Sequence, residues 1–214
     1  MNTIIFPLWL DLACVGVGAF QGALFAIIRK RFDLVGVIAL AIITGLGGGI
    51  LRDLLLGSGR PSGMQDRYLL TALVAVLAAL IYGKYFHTGT KLVLILDSIA
   101  TALFAVAGTY KSLLLNSTAL VAVILGIITA VGGGVLRDVV SRTTPQIFTG
   151  GPLYATAAAI GSAFFVFLHS RDVAPNYIVI ICAALIVLIH MLSIRFRVHL
   201  KPALSQFEVE EKEE

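Results

Sequence analysis

Apolar positions in this chain run on in long unbroken stretches. They neither alternate with polar residues as in a half-exposed strand nor keep to one face as in a surface helix. A helix needs roughly 20 apolar residues to cross a hydrocarbon core of about 30 Å. Seven stretches come near that length, at about 4–28, 34–56, 68–86, 92–110, 119–140, 148–168 and 177–194. The breaks between them are short and carry turn-forming residues, such as GSGRPSG at 57–63 and the segment around Pro145. This pattern predicts an all-α membrane protein with seven transmembrane helices in one domain over 1–200, followed by a polar tail at 201–214.

Within that pattern the chain writes one stretch twice. TGLGGGILRD occupies 44–53 on the second predicted helix, and TAVGGGVLRD occupies 129–138 on the fifth. Leu10-Asp11 is echoed by Leu96-Asp97, Gly22 by Gly108, and Tyr68 by Tyr154. The offset is 85 at the glycine triplets and 86 at these other pairs, so only one-residue shifts separate two three-helix units, about 4–86 and 92–168. Three crossings per unit is an odd number, so the second unit enters the membrane from the opposite side and the repeats are inverted. The seventh helix has no counterpart.

Three successive glycines each weaken a helix interior by roughly 1 kcal/mol relative to alanine. Glycine-interrupted helices at matching places in two inverted halves point to the working site of a repeat-built membrane protein. Inversion brings the two triplets, expected to break their helices, together around the pseudo-two-fold axis. Two chemistries then stay open. Freed carbonyls of Gly47, Gly48, Gly49, Gly132, Gly133 and Gly134, with the hydroxyls of Thr44 and Thr129, are oxygen ligands for a partly dehydrated monovalent cation. Half-helix N-termini would instead hold a substrate carboxylate.

The charged pairs Arg52-Asp53 and Arg137-Asp138 follow the triplets. Charge inside a span is costly unless it lines water or finds partners, which makes these pairs candidates for pore lining or gating; their alternative role is to snorkel and staple neighbouring helices. Asp11 and Asp97 are weaker candidates of the same kind. Asp11 reads either as a solvated interface residue or as an acid at a pore mouth. Gly18 and Gly22 form a small-xxx-small pair suited to close helix packing.

Composition agrees with the membrane reading: 58% hydrophobic and 13% charged residues, with a mean hydropathy of +0.97. The formal charge of +4 does not indicate nucleic acid, because the basic residues are scattered over helix ends. With Arg29, Lys30 and Arg31 inside, Lys84, Lys91, Arg142, Arg195, Arg197 and Lys201 also fall inside, whereas Arg60, Arg67, Lys111 and Arg171 fall outside. That bias predicts an outside N-terminus and a cytoplasmic C-terminus. His87 reads as an interfacial loop residue. Cys14 and Cys182 lie in apolar runs and read as packed thiols. No His, Cys and acidic residues cluster as metal ligands, and no nucleophile, base and acid share a place, so an enzyme is not expected. GLGGGIL lacks the preceding strand that a dinucleotide loop requires.

Two GGG-x-x-RD stretches on the second and fifth of seven spans resemble the trimeric intracellular cation channel family in its prokaryotic branch, over nearly the whole chain. The resemblance implies a homotrimer in the plasma membrane of a prokaryote, a hydrophilic pore within each subunit, and passive conduction of monovalent cations, chiefly potassium. It implies no cofactor beyond the permeant potassium or sodium ion, with membrane lipids as surroundings. The six triplet glycines would be the kink-forming pore residues, and Arg52, Asp53, Arg137 and Asp138 the charged pairs beside the pore. The same sequence family is also described as containing glycine transporters, which implies a small-solute carrier working through the same two helices.

Overall fold

The computed structural model describes residues 7–29, 32–83, 90–148, 153–196 and 198. The tail at 201–214 and the expectations placed on Lys30, Arg31, Lys84, His87, Arg197 and Lys201 lie outside the described residues, as do the side chain of Lys91 and residues 4–6 of the first predicted span.

Seven α-helices are described: α1 (Leu8–Arg29), α2 (Leu34–Leu55), α3 (Asp66–Tyr82), α4 (Thr90–Leu114), α5 (Ala119–Val140), α6 (Tyr154–His169) and α7 (Pro175–Phe196). Their starts follow the sequence. Asp33 caps α2 by accepting the Gly36 amide at 2.8 Å, Thr118 caps α5, and Pro175 opens α7 where its missing N–H is not needed. Five helices (α1, α2, α5, α7 and the 92–114 part of α4) are long and apolar enough to cross a membrane.

The third and sixth are shorter than the sequence pattern predicts, at 17 and 16 residues, or about 25 Å of rise. In both units the chain enters this third helix through a 3-10 turn, Ser62–Met64 in the first and Gln146–Phe148 in the second. The first of these follows a bend in which Gly57 and Gly59 take positive φ, +60° and +83°. α4 is longer than predicted and runs through Lys111, which is therefore a helix residue, not the end of a span.

α1 packs on α2, α3 and α4, while α4 packs on α5, α6 and α7. The two units meet where α2 crosses α5. Ala and Gly dominate the inner faces, including Ala19, Ala23, Ala41, Ala72, Ala105, Ala122, Ala157 and Ala158, all fully buried. Bulky Leu, Ile and Val residues of α3, α5 and α7 point outward, the reverse of a water-soluble core and the arrangement expected in lipid.

Candidate functional site

The glycine triplets do not break their helices. Both α2 and α5 are helical throughout, so the freed carbonyls and half-helix N-termini expected at the triplets are absent. The glycines serve instead to bring two backbones together. A Cβ placed on Gly48 would overlap the Thr129 carbonyl oxygen, and one placed on Gly133 would overlap the Thr44 carbonyl oxygen. This reciprocity is the pseudo-two-fold axis at atomic scale. Gly47 and Gly132 face leucines of the opposite helix, Leu136 and Leu51, whereas Gly49 meets nothing closer than the Arg52 guanidinium at 4.0 Å.

The threonines preceding the triplets pack in the same reciprocal way. A Cβ on Gly22 would lie 2.5 Å from Thr44 Oγ1, and one on Gly108 the same distance from Thr129 Oγ1. Thr44 donates its hydroxyl hydrogen to the Leu40 carbonyl at 2.6 Å, and Thr129 donates to Leu125 at 2.5 Å. The packing reading of Gly18 and Gly22 holds: Gly18 approaches the Gly45 Cα, and Gly22 the Ala41 Cα.

Each charged pair anchors a buried polar cluster, and neither snorkels. In the first, Arg52 Nη1 donates to Asp11 Oδ1 at 2.9 Å and Arg52 Nε to Asp53 Oδ1 at 2.8 Å. Asp11 is therefore not a solvated interface residue; it is 5% exposed and ion-paired. Its Oδ2 accepts from Arg52 Nη2 at 3.4 Å and from the Tyr68 hydroxyl at 3.2 Å. Lys111 reaches in from α4, bonding Asp53 Oδ1 and Ser62 Oγ, both at 2.9 Å, while the Ser62 amide donates to Asp53 Oδ2 at 2.8 Å.

The second cluster repeats the frame with different occupants. Arg137 Nε donates to Asp138 Oδ1 at 2.9 Å, Arg137 Nη1 reaches Asp97 Oδ1 at 3.4 Å, and the Gln146 amide donates to Asp138 Oδ2 at 3.3 Å. Gln21 of α1 donates to Asp97 Oδ1 at 3.1 Å. At the place equivalent to Lys111 stands Phe25, whose ring centroid lies 4.4 Å from both the Arg137 and the Arg29 guanidinium carbon. Tyr154, the partner of Tyr68, turns its hydroxyl to the Ala130 carbonyl at 3.4 Å, and its ring meets the edge of His190 from α7.

The cavities differ accordingly. Beside the first cluster lies a space of about 10 Å³ lined by Asp11, Val15, Arg52 and Tyr68 among others. Asp97 lines two: a larger cavity of about 200 Å³ with Phe25, Arg29, Arg137 and Gln146, and a space of about 10 Å³ at the glycine crossing with Gln21, Thr44, Thr101, Gly133 and Tyr154.

The family model described as Glycine transporter matches the chain twice, at residues 8–84 and 94–170, the two units of the repeat. A solved TRIC cation channel superposes with a TM-score of 0.81 at 32% identity, covering 92% of this chain and 97% of that one. The chain belongs to the TRIC channel family. The TRIC trimeric intracellular cation channel orthologue from Rhodobacter sphaeroides is similar at TM-score 0.83 and 29% identity, over 89% of this chain and 98% of its own. Among curated relatives of this TRIC chain, the UPF0126 membrane protein of Deinococcus radiodurans is 39% identical over 156 residues, 72% of each chain. The UPF0126 inner membrane protein YadS of Escherichia coli K12 is 36% identical over 155 residues, 72% of this chain and 74% of the relative.

Sequence reasoning in this TRIC chain misses Lys111, Phe25, Thr101 and His190 as members of the clusters. The signal for two of them was present: Phe25 and Lys111 are related by the same offset of 86 as the aspartates, and they differ in charge.

Proposed function

We propose that this chain is a monovalent cation channel, chiefly potassium-conducting, with a path inside each subunit beside the α2–α5 crossing. The observation that carries the reading is the match of nearly the whole chain to a solved TRIC cation channel. Thr44, Gly47, Gly48, Thr129, Gly132 and Gly133 build the crossing beside the path, and Gly49 and Gly134 line the small spaces next to it. Arg52, Asp53, Arg137 and Asp138, with Asp11 and Asp97, set the field along it. The subunit is one membrane domain over 1–200 with a polar tail, and three copies assemble, as in the trimeric orthologue. The chain sits in the plasma membrane of a prokaryote with its N-terminus outside and its C-terminus cytoplasmic, the side favoured by the basic residues. Lipids surround it, the permeant potassium or sodium ion is its sole cofactor, and it catalyses no reaction.

A carrier for a small amino acid such as glycine is the second reading, favoured by the description of the family model that matches both units. Planar-bilayer recording of the purified protein under a potassium chloride gradient separates the two. Discrete current steps reversing near the potassium potential are expected. Silence in the bilayer together with saturable glycine uptake into vesicles would replace the channel with the carrier.

A further inference from the structure

We propose that the second cluster, and not the first, holds a binding site for one dehydrated monovalent cation, formed around Asp97 Oδ2 with Gln21, Thr44, Thr101 and Tyr154. The site deepens the channel reading and rests on it for its role in permeation.

Four observations lead there. Asp97 is 6% exposed, and its Oδ2 is sealed from solvent with no hydrogen-bond partner among the described residues, whereas both oxygens of the equivalent Asp11 are engaged. A buried carboxylate oxygen without a partner is costly, and a cation relieves that cost directly. The reason for the difference is visible: the hydroxyl that satisfies Asp11 belongs to Tyr68, and its counterpart Tyr154 donates to the Ala130 carbonyl instead.

The formal charges also differ. The first cluster sets Asp11 and Asp53 against Arg52 and Lys111, two against two. The second pairs Asp97 and Asp138 with Arg137, the one cation ion-paired to them among the described residues, because Phe25 stands where symmetry would put a lysine and Arg29 stacks on Phe25 without an ion pair to either carboxylate; one carboxylate charge is left unpaired. Arg137 is turned to Asp138 and to Oδ1 of Asp97, which leaves Oδ2 as the open side.

The hydroxyls around the small space are spent as donors, and Gln21 has one of its two amide N–H groups spent. Thr44 gives its hydroxyl hydrogen to Leu40, Thr101 to the Asp97 carbonyl at 2.7 Å, Tyr154 to Ala130, and Gln21 its amide to Asp97 Oδ1. The lone pairs left to these oxygens suit a cation and repel an anion. Size agrees as well: about 10 Å³ admits one water-sized particle and no hydration shell. The equivalent space in the first unit has Val15 where this one has Thr101, so an oxygen is missing there too.

The test compares Asp97→Asn with Asp11→Asn in the full-length protein, using two readouts. In bilayers, D97N is expected to lower the potassium-to-chloride permeability ratio at least about tenfold, since one full charge leaves a poorly hydrated site, and to lower it further than D11N does, because Asp11 is already paired with Arg52. In detergent, thermal unfolding is followed as KCl replaces N-methylglucamine chloride at constant ionic strength. Potassium should raise the Tm of wild type and of D11N but not of D97N. Should D97N not assemble, Thr101→Val carries the test: it should raise the half-saturating potassium concentration at least about threefold. A conducting D97N with wild-type selectivity, an unchanged T101V midpoint, or a wild type whose Tm ignores potassium would each overturn the site. A potassium-dependent Tm that D97N abolishes, in a protein that carries no current, would keep the site and remove the channel.

Discussion

The two polar clusters share a frame and differ in what fills it. Each joins an aspartate from the first helix of a unit, an Arg-Asp pair one turn beyond a glycine triplet, and a backbone amide at the mouth of a 3-10 turn. The first is closed by Lys111 and the Tyr68 hydroxyl; the second has Phe25 and a tyrosine turned away, with a cavity of about 200 Å³ at its side. Only the second has a helix behind it with no counterpart, α7, whose His190 meets the Tyr154 ring and whose Ser193 accepts the Leu153 amide at 2.8 Å. Duplication supplies the frame, and the unpaired helix together with the exchanges of Phe25 for Lys111 and Thr101 for Val15 makes the two halves different.

The sharpest way to break this comparison is to remove the central arginines. Arg52→Met leaves Asp11 and Asp53 buried without their main partner, and a loss of about 3–5 kcal/mol is expected. Arg137→Met should cost more still, because Asp97 and Asp138 then face no cation among the described residues, whereas Asp53 keeps Lys111 and the Ser62 amide. Equal losses in thermal unfolding would mean that the two clusters are equivalent in energy after all.

Next come the crossing glycines. Gly48→Ala and Gly133→Ala each force a methyl into a carbonyl of the facing helix, and both should cost about 1–3 kcal/mol. Gly49→Ala, with open space around it, should stay within about 0.5 kcal/mol. Unequal effects at 48 and 133 would deny the axis between them.

A smaller effect is expected for Lys111→Met, about 1–2 kcal/mol for the lost charged hydrogen bonds, read as a fall in Tm. Phe25→Leu should lose about 1 kcal/mol from the cation–π contacts, with no change in assembly by size exclusion.

The helices were legible in the sequence because a span is a matter of length and apolarity, and α2 and α5 fall within one residue of where the pattern puts them. The pairing of the triplets was legible too, because inversion follows from an odd number of crossings. What the glycines do was not. Poor helix formers suggest a broken helix, yet the cost of glycine is offset here by backbone contact that no larger residue permits, and that contact lies in the partner helix and not in the local sequence. Lys111 was hidden for a related reason: its place at the end of an apolar run reads as an interface charge, and its partner Asp53 is 58 residues away. The difference between Asp11 and Asp97 depends on the direction of one tyrosine hydroxyl, which only coordinates reveal.

The crossing of α2 and α5 has a mechanical meaning. Two rods pressed together through bare backbone at one point have a fixed separation there and cannot slide past each other without raising a methyl-free saddle over a carbonyl ridge. They remain free to change their angle. A change of angle about Gly48 and Gly133 displaces the helix ends most and the point of contact least.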